Sequence, residues 1–282
     1  MSFRIALVSF LIAVSSPISA REVLMFARSS GYWQSYVHPG KYSPLNLVDK
    51  DKKTVWCSEG SGADARIVFE FADRVAVDRV EVFVGHSGMY AKHNRVRRME
   101  VSDGRMMGQT IELEDKQGFQ SIELTPTLEA ERVVFKLLAG YRGSAAANRH
   151  TCITDIVLYD GSTPLNGPKL RKHFKWAKAR EVFLDTWIAG PEGAPNRKLV
   201  LGMDGSFRFR FDPSDPIEKQ IHKKGPWRTQ GSGRIELNVD RKWMPVAVER
   251  DAAEVVTGLS INATGLSGSY VRRDQRPDIA TR

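Results

Sequence analysis

Cysteine is scarce in this chain, and most of the motifs that announce a chemistry are missing. Only two cysteines, Cys57 and Cys152, occur among 282 residues, so no cysteine pair stands at metal-ligand spacing. The six histidines (His38, His86, His93, His150, His173 and His222) include no i, i+4 pair of the kind that holds zinc on a helix. There is no G-x-S-x-G elbow, no phosphate-binding loop and no dinucleotide fingerprint. Nothing in the pattern therefore selects a metallohydrolase, a serine hydrolase or a nucleotide-binding enzyme. The first 160 residues lack any helix-length 3.6 periodicity, which excludes a helical fold for that half. Beyond residue 20, no segment is apolar enough to cross a membrane.

What is present begins with an export signal. Arg4 precedes the apolar run Ile5 to Val14, followed by Ser-Ser-Pro-Ile-Ser-Ala20, with Ala20 as a small residue for cleavage. In an exported chain, two cysteines most simply make one disulfide; the alternative is two buried thiols. A Cys57–Cys152 bond would close a long loop and stabilise by about 4–5 kcal/mol in the chain-entropy model. The formal net charge is +9, which favours anionic partners such as wall polymers, acidic glycans or lipid headgroups. The charge is spread through the chain, however, and a solvated basic surface accounts for it equally well.

Short alternating runs fill the first half. Ile67, Phe69 and Phe71 share one face, and Val80, Val82 and Val84 another. Val96 to Val101, Gln109 to Leu113, Ser121 to Leu124, Arg132 to Leu138 and Thr151 to Tyr159 continue the series. Period two with turn residues every 8–12 positions indicates an antiparallel β-sandwich. Before it, Val23 to Asn46 reads as an irregular lead-in. After it, the turn-rich Gly161 to Pro168 reads as a linker, and Lys169 to Glu181 as a short basic helix. A second β region follows, opening with the hairpin Arg197–Leu201/Ser206–Phe211 around Gly202-Met-Asp-Gly205. Up to eight strands fit in this part, enough for a small barrel whose core Trp187, Trp227 and Trp243 would fill. The expected fold class is thus all-β. Its expected organisation is a signal peptide over 1–20, a sandwich over 21–162, a linker over 163–178, a barrel-like domain over 179–273 and a loose tail over 274–282.

The stretch Asn46 to Trp56 carries a resemblance. Its Asn46, Asp49, Asp51, Thr54 and Trp56, with Asp155 in the closing strand, follow the "N-x-x-D-x-D-x-x-T-x-W" pattern of discoidin-like (coagulation-factor type C, galactose-binding-like) domains. Together with Tyr42 to Asp49, Trp56-Cys57, Asn94 to Val96 and Thr151 to Asp155, the set resembles the glycan-binding translocation domain of bacterial NAD-glycohydrolase toxins across residues 36–160. The resemblance implies a discoidin-like sandwich and a structural calcium ion at Asp49, Asp51, Thr54 and Asp155. Two departures stand out: Lys50 occupies the usual Gly position, and Asp155 is one carbon shorter than the usual Glu. No NAD-cleaving activity comes with the resemblance. The second half resembles lipocalin-like small barrels through Asp185 to Trp187, Met203 to Phe207 and Gly225 to Arg228.

Ligand contacts are expected on two loops. His86-Ser-Gly-Met-Tyr-Ala-Lys-His-Asn-Arg95 offers His86, Tyr90, His93, Asn94 and Arg95: a ring to stack on a sugar and donors for its hydroxyls. Asn94 and Arg95 are equally suited to framework roles, and the histidines to isolated surface positions. The second loop, Gly140 to His150, offers Tyr141 and Arg142. Neither loop contains Asp or Glu, which suits a sugar carrying negative charge. The expected function is an exported, non-enzymatic carbohydrate-binding protein, in the periplasm or outside the cell, with a glycan or cell-surface polymer as partner. Neither nucleic acid nor a membrane span is expected. An envelope scaffold that binds another protein, or a hydrolase carrying the sandwich as a targeting module, is the alternative.

Overall fold

A computed structural model describes residues 24–34, 40–105, 108–145, 149–166, 174–191, 195–213, 219–230, 233–252, 254–263 and 265–273. The proposed signal segment and the tail from 274 lie outside the described residues, as do His38 and His173.

The sandwich is built on two long bent strands. β3 (Arg66–Val84) and β6 (Gly118–Tyr141) run antiparallel over their whole length, with register shifts between Glu70 and Val75 and between Val77 and Arg79. At those shifts both strands turn a corner. The first half of β3 pairs with β1 (Leu24–Ser29), and the second half with β7 (Thr151–Asp160). β4 (Asn94–Ser102) adds to β6, β5 (Gln109–Glu112) to β4, and the two-residue β2 (Trp56–Cys57) to β7. Alternation decides the packing, since Ile67, Phe69, Val80, Val82, Val84, Phe135 and Ile153 are all fully buried. Because β3 and β6 double back, the loops 58–65, 85–93, 113–117 and 142–150 collect at one end of the sandwich. The corner residues near 72–78 and 125–131 form the other end.

The lead-in is not wholly irregular: Leu24–Ser29 is a strand, with Leu24 to Ala27 buried. Nothing local marks this strand, which lies next to the proposed cleavage point with no turn residue at its start. The expected linker is also corrected. β8 (Thr163–Pro164) pairs with β7, Leu165 is buried, and the Asn166 side chain accepts from Leu158 N and donates to Ile156 O. The basic helix is the single short α1 (Phe174–Ala179).

The second half is a closed antiparallel barrel. In chain order its strands are β9 (Thr186–Ala189), β10 (Arg197–Leu201), β11 (Ser206–Phe211), β12 (Ile221–Gln230), β13 (Arg234–Val239), β14 (Lys242–Arg250), β15 (Val256–Ile261) and β16 (Gly268–Arg272). Each pairs with the next, and β16 closes on β9 with Arg272 opposite Trp187. In β11, Phe207 and Phe209 point inward while Arg208 and Arg210 point out, as strand periodicity requires. Trp187 and Trp227 are buried, their ring N–H groups donating to Phe183 O and Gly202 O. Trp243 is not a core residue: it lies on the outside of β14, 36% exposed, with the Arg228 guanidinium over its ring at 4.0 Å.

Sandwich and barrel share one continuous apolar core. Met203 N donates to Met25 O across the junction, and Arg28 pairs with Asp185 at 2.7 Å. Glu70, with a side chain 1% exposed on the sandwich, faces Lys198 of the barrel at 2.9 Å.

Candidate functional site

The end of the sandwich where the loops gather is closed by the disulfide. Cys57 and Cys152 sit directly opposite each other in the β2–β7 pair and are bonded, both fully buried. That bond fixes the base of the 142–150 loop against the 58–65 loop. Thr151 N donates to Ser58 Oγ, Thr151 Oγ1 donates to Ser61 O, and His150 Nδ1 lies 2.9 Å from Ser58 O.

Asn94 ties this loop to the next. Its Nδ2 donates to Arg149 O and its Oδ1 accepts from Gly143 N, while Ser144 N donates to Ala91 O. Arg95 is 8% exposed and fully engaged. It donates to both oxygens of Asp115 at 2.9 and 2.6 Å, and to the carbonyls of His93 and Arg142. Tyr90 also donates to Asp115, at 2.7 Å. Its ring lies so close over Gly85 (φ +83°) that a Cβ there would meet Tyr90 Cδ2 at 2.6 Å. Hydrogen bonding from Arg95 holds the Asp115 carboxyl below the ordinary range, and burial, then Asp115, pushes the Tyr90 hydroxyl up to about 12. Asn94, Arg95 and Tyr90 are thus framework residues. The expected freedom from acidic groups at this end is corrected by Asp115, which comes from a third loop.

Beside this framework stand the half-buried Tyr141 and the exposed Arg142. With Asn94, Ser61, Gly62 and Thr151 they line a depression of about 200 Å³ between β6 and the 58–65 loop. The Tyr141 hydroxyl donates to Leu113 O, which fixes its ring. The Arg142 side chain is exposed.

Behind this depression stands a stack of rings. Trp33, from the segment after β1, stacks on Tyr42 at 4.5 Å and on His150 at 4.4 Å. His93 lies 5.9 Å from Trp33 and stacks on His86 at 5.2 Å. The expectation of isolated surface histidines is overturned: His93 is fully buried, and neither of its ring nitrogens has a hydrogen-bond partner among the described residues. Burial, then the neighbouring His93, lowers the His86 pKa to about 4. Burial, then His150 and Lys92, lowers that of His93. His86 Nδ1 accepts from Gly88 N, which leaves its proton on Nε2. Asp115 carries no signal in the sequence, since Tyr90 and Arg95 lie 25 and 20 residues away; Trp33 shows there only as an aromatic of the lead-in, with Tyr42 nearby but His93 and His150 far along the chain.

Asp49, Asp51 and Thr54 do come together. Asp49 Oδ1 accepts from Asp51 N, Asp49 Oδ2 accepts from Thr54 Oγ1 at 2.7 Å, and Asp51 Oδ1 accepts from Lys53 N. Asp155 is buried on β7 opposite Phe83. Lys50 occupies the turn with φ +54°, a conformation that Gly adopts without strain. Among the described residues, no three His, Cys, Asp or Glu side chains are grouped to hold a metal ion. The donor set fits an Asp-turn whose oxygens are satisfied from within better than it fits a calcium cage.

No curated protein matches the chain. Among solved structures, CpGH89CBM32-5 from Clostridium perfringens, in complex with GalNAc-β-1,3-galactose, is 14% identical, with 48% of this chain and 95% of that one covered and a TM-score of 0.38. The family 32 CBM from C. perfringens NanJ, in complex with galactose, is 10% identical, with 49% and 98% covered and a TM-score of 0.36. The F5/8 type C domain of a Bacteroides fragilis protein is 14% identical, with 48% and 90% covered and a TM-score of 0.37. Residues 27–159 match the family model described as NAD glycohydrolase translocation F5/8 type C domain, and it is to this discoidin-like family that the first half of the chain is similar.

Proposed function

We propose that the protein is an exported, non-enzymatic carbohydrate-binding protein whose sandwich takes a glycan at the disulfide-closed loop end. The observation that carries this reading is the set of loop-to-loop hydrogen bonds through Asn94, Thr151 and His150. These bonds hold the depression beside Tyr141 and Arg142 in one shape. Hydroxyl recognition depends on such fixed donors and acceptors, because a preorganised site loses little entropy on binding. Arg142 supplies a charged donor at the rim, and the half-buried Tyr141 ring supplies apolar surface for a sugar face. The family match of residues 27–159 supports the same reading.

The barrel serves as a rigid extension of the binding domain, because it shares the sandwich's core. A glycan array probed with the full chain tests the proposal. Saturable binding to a defined set of glycans supports it. A blank array together with capture of one envelope protein would replace it with the scaffold reading.

A further inference from the structure

A second candidate site lies far from the loop end, in the seam between sandwich and barrel. Two contiguous hollows of about 640 and 450 Å³ run along it, sharing Arg74, Glu131, Lys198 and Arg210. One wall comes from the sandwich corner and the β4–β5 turn, the other from β10, β11 and β12 of the barrel. Ten arginine and lysine side chains line the two hollows, against five aspartates and glutamates. Most of the acids are already neutralised within the groove. Glu131 pairs with Lys198 at 3.0 Å, Arg74 with Glu129 at 3.3 Å, Arg208 with Asp73 at 3.3 Å and Arg210 with Asp212 at 2.5 Å. Lys223 pairs with Asp240 at 2.7 Å and Arg273 lies 3.8 Å from Glu70, both acids outside the lining; the remaining surplus is cationic, and it includes the exposed Arg105 near one end and the exposed Lys224 near the other.

The walls are fixed relative to each other. The halves share one core, Met203 N donates to Met25 O beneath the groove, and the buried Glu70 is clamped by Lys198. A row of cations in a concave, preorganised seam focuses its field on a linear anion. The groove offers little platform for base stacking: of the aromatic rings among its described lining residues, Phe71 and Phe209 are buried and the His222 imidazole alone is exposed. That disfavours single-stranded nucleic acid, which is held by stacked rings.

We infer that this groove binds an anionic polysaccharide, one bearing uronate or phosphate groups along its length, independently of the glycan site at the loop end. The test is titration calorimetry on the full chain with polygalacturonate, poly(glycerol phosphate), a neutral galactan and a single-stranded DNA oligomer, at about 50 and about 200 mM NaCl. The inference expects at least one of the two anionic polymers to bind, and binding to weaken by about tenfold or more at the higher salt. Which of the two binds identifies carboxylate or phosphate as the recognised charge. The double variant Arg105→Glu/Lys224→Glu should lower that affinity by about tenfold or more with the melting temperature kept. Each single reversal should give a partial loss, which preserves the test if the double variant does not fold. Arg142→Ala at the loop end should leave binding to the anionic polymer unchanged. The inference is overturned if neither anionic polymer binds more tightly than the galactan, if the reversals change nothing, or if DNA binds equally well.

Discussion

The rings of His86 and His93 lie parallel, 5.2 Å apart and 12° from coplanar, beside the Trp33–His150 stack. Such an arrangement is stable only while the imidazoles are neutral. Lys92 adds a positive neighbour to His93, and no carboxylate is among the groups that shift its pKa. The folded His86 pKa, about 4, lies below its ordinary 6.5, and that of His93 is lowered too. Their contribution to stability is therefore full above the unfolded value and is lost as pH falls from 6.5 toward 4. Thermal unfolding between neutral pH and pH 4.5 should show the midpoint dropping by several degrees. His93→Phe should flatten that slope, and an unchanged slope in the variant would place the acid sensitivity elsewhere.

Glu181 behaves in the opposite sense. Burial raises its carboxyl to about 7, against the lowering effects of the Ser43 hydrogen bond, Lys178 and the Tyr32 hydrogen bond. A folded pKa above the unfolded 4.5 means stability that is complete below 4.5 and declines as pH rises through 7. Glu181→Gln keeps the hydrogen-bonding geometry without the charge, so it should raise the melting temperature at pH 8 by a few degrees and change little at pH 4.

Joining the halves through Glu70 and Lys198 has a measurable cost when broken. Among the described residues, Lys198→Met leaves the buried Glu70 carboxylate with Arg273, at 3.8 Å, as its ion-pair neighbour. A loss of about 3 kcal/mol is expected, against under about 1 kcal/mol for Arg74→Ala in its exposed pair with Glu129. Calorimetry of the unsubstituted chain should show one cooperative transition; two resolved transitions would mean that the halves fold independently.

The turn at Asp49 already satisfies its carboxylate from Asp51 N and Thr54 Oγ1. Millimolar calcium or a chelator should therefore leave the unfolding midpoint unmoved. A midpoint that rises with calcium would restore Asp49, Asp51, Thr54 and Asp155 as an ion site. Reducing the protein or making Cys152→Ser should cost about 4 kcal/mol, because the bond closes a loop of 95 residues.

Much of the β architecture was legible in the chain, because alternation such as Phe207/Arg208/Phe209/Arg210 states both the strand and its buried face. The Cys57–Cys152 bond is the simplest reading of two cysteines in an exported chain, and the structure has it. Illegible were the elements whose partners lie far along the sequence. β1 buries four successive residues and so shows no alternation, the four-residue β9 is too short to show a period, and only the closed barrel explains Thr186–Ala189 as a strand. By side-chain type, Tyr90, Asn94 and Arg95 suit a ligand as well as a loop framework, and the sequence does not decide between the two. Their roles as framework depend on Asp115 and Gly143, which nothing local marks. Trp243 looked like core by composition and lies outside because of its register in β14.

The loop end tests most directly through Arg142 and Tyr141, which border the depression without holding the loops together through side-chain charge. With a glycan identified on the array, its affinity should be measured by titration calorimetry for the unsubstituted chain, Arg142→Ala and Tyr141→Ala. The account predicts a loss of about tenfold or more for Arg142→Ala at an unchanged melting temperature, in line with removal of one charged hydrogen bond. Glycan affinity identical in all three proteins would contradict it.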